Sequence, residues 1–193
     1  MRILHIDSSI QGDTSASRAL TREIVAQYQA GHPQAAVTYR DLASQHLPHL
    51  SQAVLTQRDA TEAGRSAAAL DEFLAADVIV IGAPIYNFTI PSQLKAWIDR
   101  IAVAGKTFRY TAAGPEGLMR GKKVIVALSR GGVHTPGTAG EFGESYLRFL
   151  FGFLGVDDVS FVHAQGLAIS PQHRAAALDA ALASIRAPER RAA

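Results

Sequence analysis

The stretch DVIVIGAPIYNFTIPSQLKAWIDRI, residues 77–101, sets the terms for the whole chain. Its opening part, DVIVIGAP, is a continuous apolar run of strand length, the pattern of a strand covered on both faces and so of the middle of a parallel sheet. Its closing part places Leu94, Trp97, Ile98 and Ile101 at i, i+3, i+4 and i+7, one apolar helix face, with Pro91 near the first turn. Between the two, Tyr86, Asn87 and Phe88 occupy a turn. Two aromatics and an amide beside bare backbone suit the gripping of a flat, hydrogen-bonding ring. A strand end with incidental aromatics has the same pattern.

Working outward, residues 2–6 read as a strand ended by Asp7, Ser8 and Ser9. Leu20, Ile24, Val25 and Tyr28 then repeat at helical spacing until AGHP (30–33) stops them, and residues 37–40 offer a second strand. Residues 41–64 carry no strong period and hold a loop plus a short helix, and Leu70, Phe73 and Leu74 mark the next helix. After residue 101, KTFRYTAAGPEGLMRG (106–121) reads as a hairpin excursion with a Gly-Pro break and KKVIVALS (122–129) as a fourth strand. Phe142, Tyr146, Phe149, Leu150 and Phe153 trace a helix, DDVSFVHA (157–164) a fifth strand, and Leu178, Ala181, Leu182 and Ile185 a last helix. The fold expected is an α/β, open five-stranded parallel sheet of order 2-1-3-4-5 with helices on both faces. It forms a single domain over 1–193, with 188–193 a frayed tail.

The totals agree with that. The 193 residues are 48% hydrophobic and 19% charged, ordinary for a globular protein with one core. The formal net charge is +2, and the longest Lys/Arg runs are the pairs Lys122–Lys123 and Arg190–Arg191, which argues against a nucleic-acid partner. There is no cysteine, which excludes disulfides, Cys-ligated zinc and thiolate catalysis. MRILHIDSS is too short and too interrupted for a signal peptide, and no apolar run approaches the roughly 20 residues of a membrane span. A soluble, cytoplasmic protein is expected.

In such a sheet ligands bind beyond the carboxyl ends of the strands, where the loops after strands one, three and four meet. The first of these, DSSIQGDTSAS (7–17), lacks G-x-G-x-x-G and lacks G-x-x-x-x-G-K-[ST]. It offers the hydroxyls of Ser8, Ser9, Thr14, Ser15 and Ser17 at a helix N-terminus, where free N–H groups and the helix dipole attract an anion. A phosphate monoester fits, and helix capping accounts for one hydroxyl. The loop after strand four, SRGGVH (129–134), has paired glycines that let backbone approach a planar polar edge, or simply turn tightly. His134 beside them reads as a surface residue or a proton donor. Together the three loops describe a site for a mononucleotide with a large flat ring.

These residues resemble the FMN-dependent NADH azoreductases of the flavodoxin-like superfamily, close kin of the quinone reductases. The resemblance runs through HIDSS, the following G and SASR, GAPIYNFTIPSQLKAWIDR, AGKTFRYT with GP and GL beyond it, SRGG with its His, and FLFGFLG. It implies that Ser9, Ser15, Ala16 and Ser17 hold the FMN phosphate. Ile85, Tyr86, Asn87 and Phe88 would lie along the ring system, and Ser129, Arg130, Gly131 and Gly132 would border its pyrimidine side. Relatives often carry Met where this chain has Ile85, which is stiffer and lacks the sulfur. Beside the family it resembles, the stretch between Leu50 and Ser66 is expected to be shorter, which would change how the pocket mouth is covered.

The implied reaction is ping-pong: NADH or NADPH gives a hydride to FMN and leaves, and two electrons then pass to a quinone or azo compound. No catalytic side chain and no metal is implied. The resemblance also implies a homodimer with pockets bordered by both subunits, to which the aromatic-rich YLRFLFGFLG (146–155) would contribute. Two rivals come from other classes. A flavodoxin-like electron carrier is usually strongly acidic, which this chain is not. A GDSL-type serine esterase needs an Asp three residues before its His, where this chain has Ser170 before His173.

Overall fold

A computed structural model describes residues 1–56, 58–135 and 137–185. Strand β3 (Val78–Pro84) is buried at every position. Val78 and Val80 join the apolar layer that includes α1 (Ala16–Gly31) and α6 (Pro171–Ser184). Ile79, Ile81 and Ala83 join the opposite layer, with α3 (Ala60–Ala75), α4 (Ser92–Ile101) and α5 (Gly143–Phe153). That alternation is the two-residue period of a strand covered on both sides. Each such Val or Ile contributes about 1.5–3 kcal/mol by leaving water.

β3 pairs in parallel with β1 (Arg2–Asp7) and β6 (Lys123–Ser129), and β2 (Ala36–Asp41) and β7 (Asp158–Ala164) close the edges. This is the expected five-stranded order, because the short strands β4 (Phe108–Thr111) and β5 (Gly114–Gly117) form a separate antiparallel hairpin. The register sets Asp7 opposite Gly82 and Pro84 opposite Ser129. The loops after β1, β3 and β6 therefore leave side by side at one rim.

The α4 face is as its spacing predicts: Leu94, Trp97, Ile98 and Ile101 are all buried, with Trp97 edge-on to Phe73 at 5.9 Å. Helix α3 begins well before Leu70, because Asp59 caps it by accepting from the Glu62 amide at 3.0 Å and its first turns are rich in Ala. The short helix expected within 41–64 is α2 (Gln52–Leu55). In α5 the expected face is right in part: Tyr146, Leu150 and Phe153 are half-buried against the apolar layer. Phe142 and Phe149 are exposed, and the buried set is Leu147, Phe151 and the following Leu154, four and seven residues along. Aromatics outnumber aliphatics in this segment, so a period read mainly from them misses Leu147 and Leu154, which are fully buried.

Among the described residues no helix is long and apolar enough to cross a membrane. The expected frayed tail, 188–193, lies outside the described residues.

The hairpin is tied down by the Phe108 ring, 4.7 Å from that of Phe153 in the apolar layer, and by backbone. The Met119 amide donates to the Leu154 carbonyl at 2.8 Å, and a Cβ on Gly117 would land inside the Leu154 and Gly155 backbone. Replacing Gly117 by Ala is expected to cost about 3 kcal/mol. Urea unfolding should show a lower midpoint with an unchanged slope, since the surface exposed on unfolding is the same.

Candidate functional site

The first rim loop runs from β1 through a single 3-10 turn at Gly12–Thr14 into α1. Ser8, Ser9, Ser15 and Ser17 are buried in it. The Ser8 hydroxyl donates to the Gly82 carbonyl at 2.6 Å, which leaves Ser8 a structural role. Ser15 caps α1 by accepting from the Arg18 amide at 3.3 Å, and its hydroxyl lies 3.1 Å from that of Ser17. The amides of Ala16 and Ser17 have no acceptor among the described residues, as the first turn of a helix requires.

The second loop leaves β3 with the Ile85 amide donating to the Ser129 carbonyl at 2.7 Å. Tyr86 and Thr89 exchange backbone hydrogen bonds of 2.9 and 3.2 Å across the turn. Between them Asn87 and Phe88 have φ of 48° and 71°, the two non-glycine residues with positive φ among those described. A left-handed backbone costs an L-residue about 1–2 kcal/mol, so two in succession point to a held, functional conformation. Neither amide has an acceptor among the described residues.

In the third loop the carbonyls of Arg130, Gly131 and Gly132 accept from the amides of Leu167, Ala168 and Gly166 at 3.1, 3.0 and 2.8 Å. The approach is close: a Cβ on Gly131 would sit 3.1 Å from that of Ala168. The amides of Gly131 and Gly132 have no acceptor among the described residues.

The middle loop joins the other two. The Tyr86 hydroxyl lies 3.3 Å from the Ser9 hydroxyl and accepts from the Ile10 amide at 3.2 Å. Phe88 is edge-on to His134 at 6.5 Å and occupies the space a Cβ on Gly140 would need. Ser9, Ser15, Ile85, Tyr86, Asn87, Phe88, Arg130, Gly131 and Gly132 stand on these three loops, and Ala16, Ser17 and Ser129 on the helix and strand ends that border them. The Arg130 side chain, however, turns inward: its Nη2 pairs with Glu141 Oε1 at 3.1 Å with both groups buried, while its own amide donates to the Ala164 carbonyl at 3.0 Å and its carbonyl takes the Leu167 amide.

A family model described as flavodoxin-like fold matches residues 1–187. The chain is 58% identical over 189 residues to the FMN-dependent NADH:quinone oxidoreductase of Xanthomonas oryzae pv. oryzae, covering 98% of this chain and 97% of that one. The chain belongs to the flavodoxin-like FMN-dependent NADH:quinone oxidoreductase family. A Pseudomonas putida relative, FMN-dependent NADH:quinone oxidoreductase 1, is 53% identical and covers 96% of each chain. The crystal structure of an azoreductase from Bacillus anthracis superposes with a TM-score of 0.87 at 28% identity, covering 96% of each chain. An FMN-dependent NADH-azoreductase from the same species, solved in complex with FMN, gives a TM-score of 0.82 at 27% identity, over 95% of this chain and 97% of that one.

Sequence reading of this family member missed the polar network beneath the first loop. Arg18 holds Asp41 through bonds of 2.7 and 3.0 Å, the Tyr39 hydroxyl at 3.1 Å and the Ser9 carbonyl at 2.8 Å. Asp7 accepts from Thr21 at 2.9 Å and from Tyr39 at 3.1 Å, with His5 Nε2 at 3.5 Å. The signal available was an Arg in the first turn of a helix, where the dipole opposes a cation. Its partners on β2 could not be named without the fold. Surface hollows of about 330 and 460 Å³ lie along α3, and neither is lined by the three rim loops.

Asp7, Asp41 and Glu141 are all held below the ordinary carboxylate range. Burial pushes each up and is outweighed: at Asp7 by His5, Thr21 and Arg18, at Asp41 by Arg18 and the Ala43 amide, at Glu141 by the amides of Glu144 and Ser145 and by Arg130. A depressed pKa means stability that is fully present above the unfolded value and lost as pH falls through the folded one. Burial first, then Asp7, pushes the Tyr39 hydroxyl from 10.0 up to about 12, so its contribution is present below pH 10 and lost between 10 and about 12. Urea midpoints should stay level down to about pH 5 and fall below it, and Asp41→Asn should flatten that fall.

Proposed function

We propose that this chain binds FMN at the rim and uses it to pass two electrons from NADH or NADPH to a quinone or azo compound. The observation that carries this is the convergence of three sets of amides without acceptors: those of Ala16 and Ser17, of Asn87 and Phe88, and of Gly131 and Gly132. These donors fit the group. Phosphate oxygens and the carbonyl and nitrogen edges of a flavin all accept hydrogen bonds, and the glycines leave room for close approach.

FMN, when bound, supplies the hydride acceptance from the nicotinamide and the two-electron delivery to the acceptor. The chain's own residues bind and orient. Ser9, Ser15, Ala16 and Ser17 hold the phosphate by hydroxyl and amide, with the α1 dipole behind them. Ile85, Tyr86, Asn87 and Phe88 lie along the ring, and Ser129, Arg130, Gly131 and Gly132 border its pyrimidine edge. The Gly131 and Gly132 amides favour negative charge there because they are preorganised donors. The whole chain acts as one domain.

A homodimer completes the pocket. Phe88, Val133, Phe142 and Phe149 are exposed apolar groups, the first two on the rim loops and the last two at and on α5, and a second copy would cover such surface. An esterase reading finds no support in the hydroxyls. Ser170 caps α6 by accepting from the His173 amide at 3.1 Å, and no histidine side chain is bonded to Ser8 or Ser9 among the described residues.

The purified protein is expected to be yellow with one FMN per chain, and steady-state plots with NADH and a quinone should give parallel lines. A colourless protein that ignores added FMN in a fluorescence titration, or intersecting lines, would contradict this reading. Asn87→Leu or Gly131→Val should weaken FMN at least about tenfold, because apolar bulk beside the amides keeps the ring from one or two of their hydrogen bonds. Unchanged affinity would remove that residue from the site.

A further inference from the structure

We propose that Arg18 is a positioning residue for the phosphate loop: it fixes the Ser9 peptide against the end of β2 and makes no contact with phosphate itself. This rests on the reading that the first loop takes the FMN phosphate.

A guanidinium has five N–H donors, and here each has an acceptor. Nε donates to the Ser9 carbonyl at 3.3 Å. Nη2 donates to the same carbonyl at 2.8 Å and to Asp41 Oδ1 at 2.7 Å. Nη1 donates to Asp41 Oδ2 at 3.0 Å and to the Tyr39 hydroxyl at 3.1 Å. No donor is left over for a ligand. Arg18 is 9% exposed, and a second carboxylate, Asp7, lies 3.8 Å from it. Two carboxylates thus face one guanidinium, and the cradle above carries no surplus positive charge from this source.

What the arrangement does provide is a rigid Ser9. Its carbonyl takes two N–H groups from below, while its hydroxyl lies 3.3 Å from both the Tyr86 hydroxyl and the Gln11 amide above. Tyr39 and Asp41 sit at the end of β2, so a single side chain welds the phosphate loop to the edge strand of the sheet. Holding donors in place before the ligand arrives lowers the ordering cost of binding.

The test is titration of flavin-stripped protein with FMN and, separately, with riboflavin, which keeps the ring and lacks the phosphate, read by flavin fluorescence. Arg18→Met should weaken FMN by about tenfold to a hundredfold and riboflavin by less than about threefold. Arg18→Lys should recover little, because one ammonium cannot span Ser9, Tyr39 and Asp41. Asp41→Asn separates positioning from charge: removing a nearby negative charge would tighten FMN if Arg18 acted by its field, whereas loss of the clamp weakens it. Equal losses for both flavins, an unchanged FMN affinity or tighter FMN binding by Asp41→Asn overturns the proposal. If Arg18→Met fails to fold by circular dichroism, Asp41→Asn and Tyr39→Phe decide by the same FMN-against-riboflavin pattern. Wild-type protein that binds neither flavin would overturn the proposed function, and the role of Arg18 with it.

Discussion

Strand β3 is paired on both edges and covered on both faces, and that double constraint places everything at the rim. Parallel neighbours run the same way, so the loops that follow β1, β3 and β6 must emerge at one end. The registers then bring Ser9 within reach of Tyr86, and Ile85 within reach of Ser129. Gly82 serves the same end from inside the strand. A Cβ there would stand 2.7 Å from Asp7 Oδ1, so the bare backbone is what lets the Asp7 network lie beneath the first rim loop, and its carbonyl takes the Ser8 hydroxyl. This glycine is required by close approach, not by a turn.

The electrostatics of the rim follow from keeping charges below and neutral donors above. Buried charges are costly unless paired and hydrogen-bonded, and those beneath this rim are: Arg18 with Asp41, and Arg130 with Glu141. Each arginine ties one rim loop to another element, Arg18 to β2 and Arg130 to the start of α5. Removing Glu141 would leave Arg130 an unpaired buried charge, whereas Arg18 would keep Asp7 at 3.8 Å, and neither pair needs a ligand to hold. The amides and hydroxyls above them are free to meet one.

Much of the fold was legible. The run 78–84 could only be an interior strand, and Leu94, Trp97, Ile98 and Ile101 could only be one helix face, because burial and period agreed in both. The rim loops were legible for a different reason: hydroxyls at a helix start, aromatics after a buried strand and paired glycines each carry a local chemical meaning. Helix α5 was harder to read. Phe149 is as apolar as Leu147, and nothing local says which of them the sheet will cover.

The sequence by itself determined the order of strands and helices, the positions of the three rim loops and the absence of thiol chemistry, since each depends on residue type and spacing along one chain. Tertiary structure alone decided that Asn87 and Phe88 take left-handed backbone, that Arg130 turns inward to Glu141, and that Arg18 reaches across to Tyr39 and Asp41. The reason is range. A side chain's partner eleven residues away, as Glu141 is from Arg130, or more than twenty, as Tyr39 and Asp41 are from Arg18, is chosen by which elements the fold sets side by side, and no local pattern records that choice.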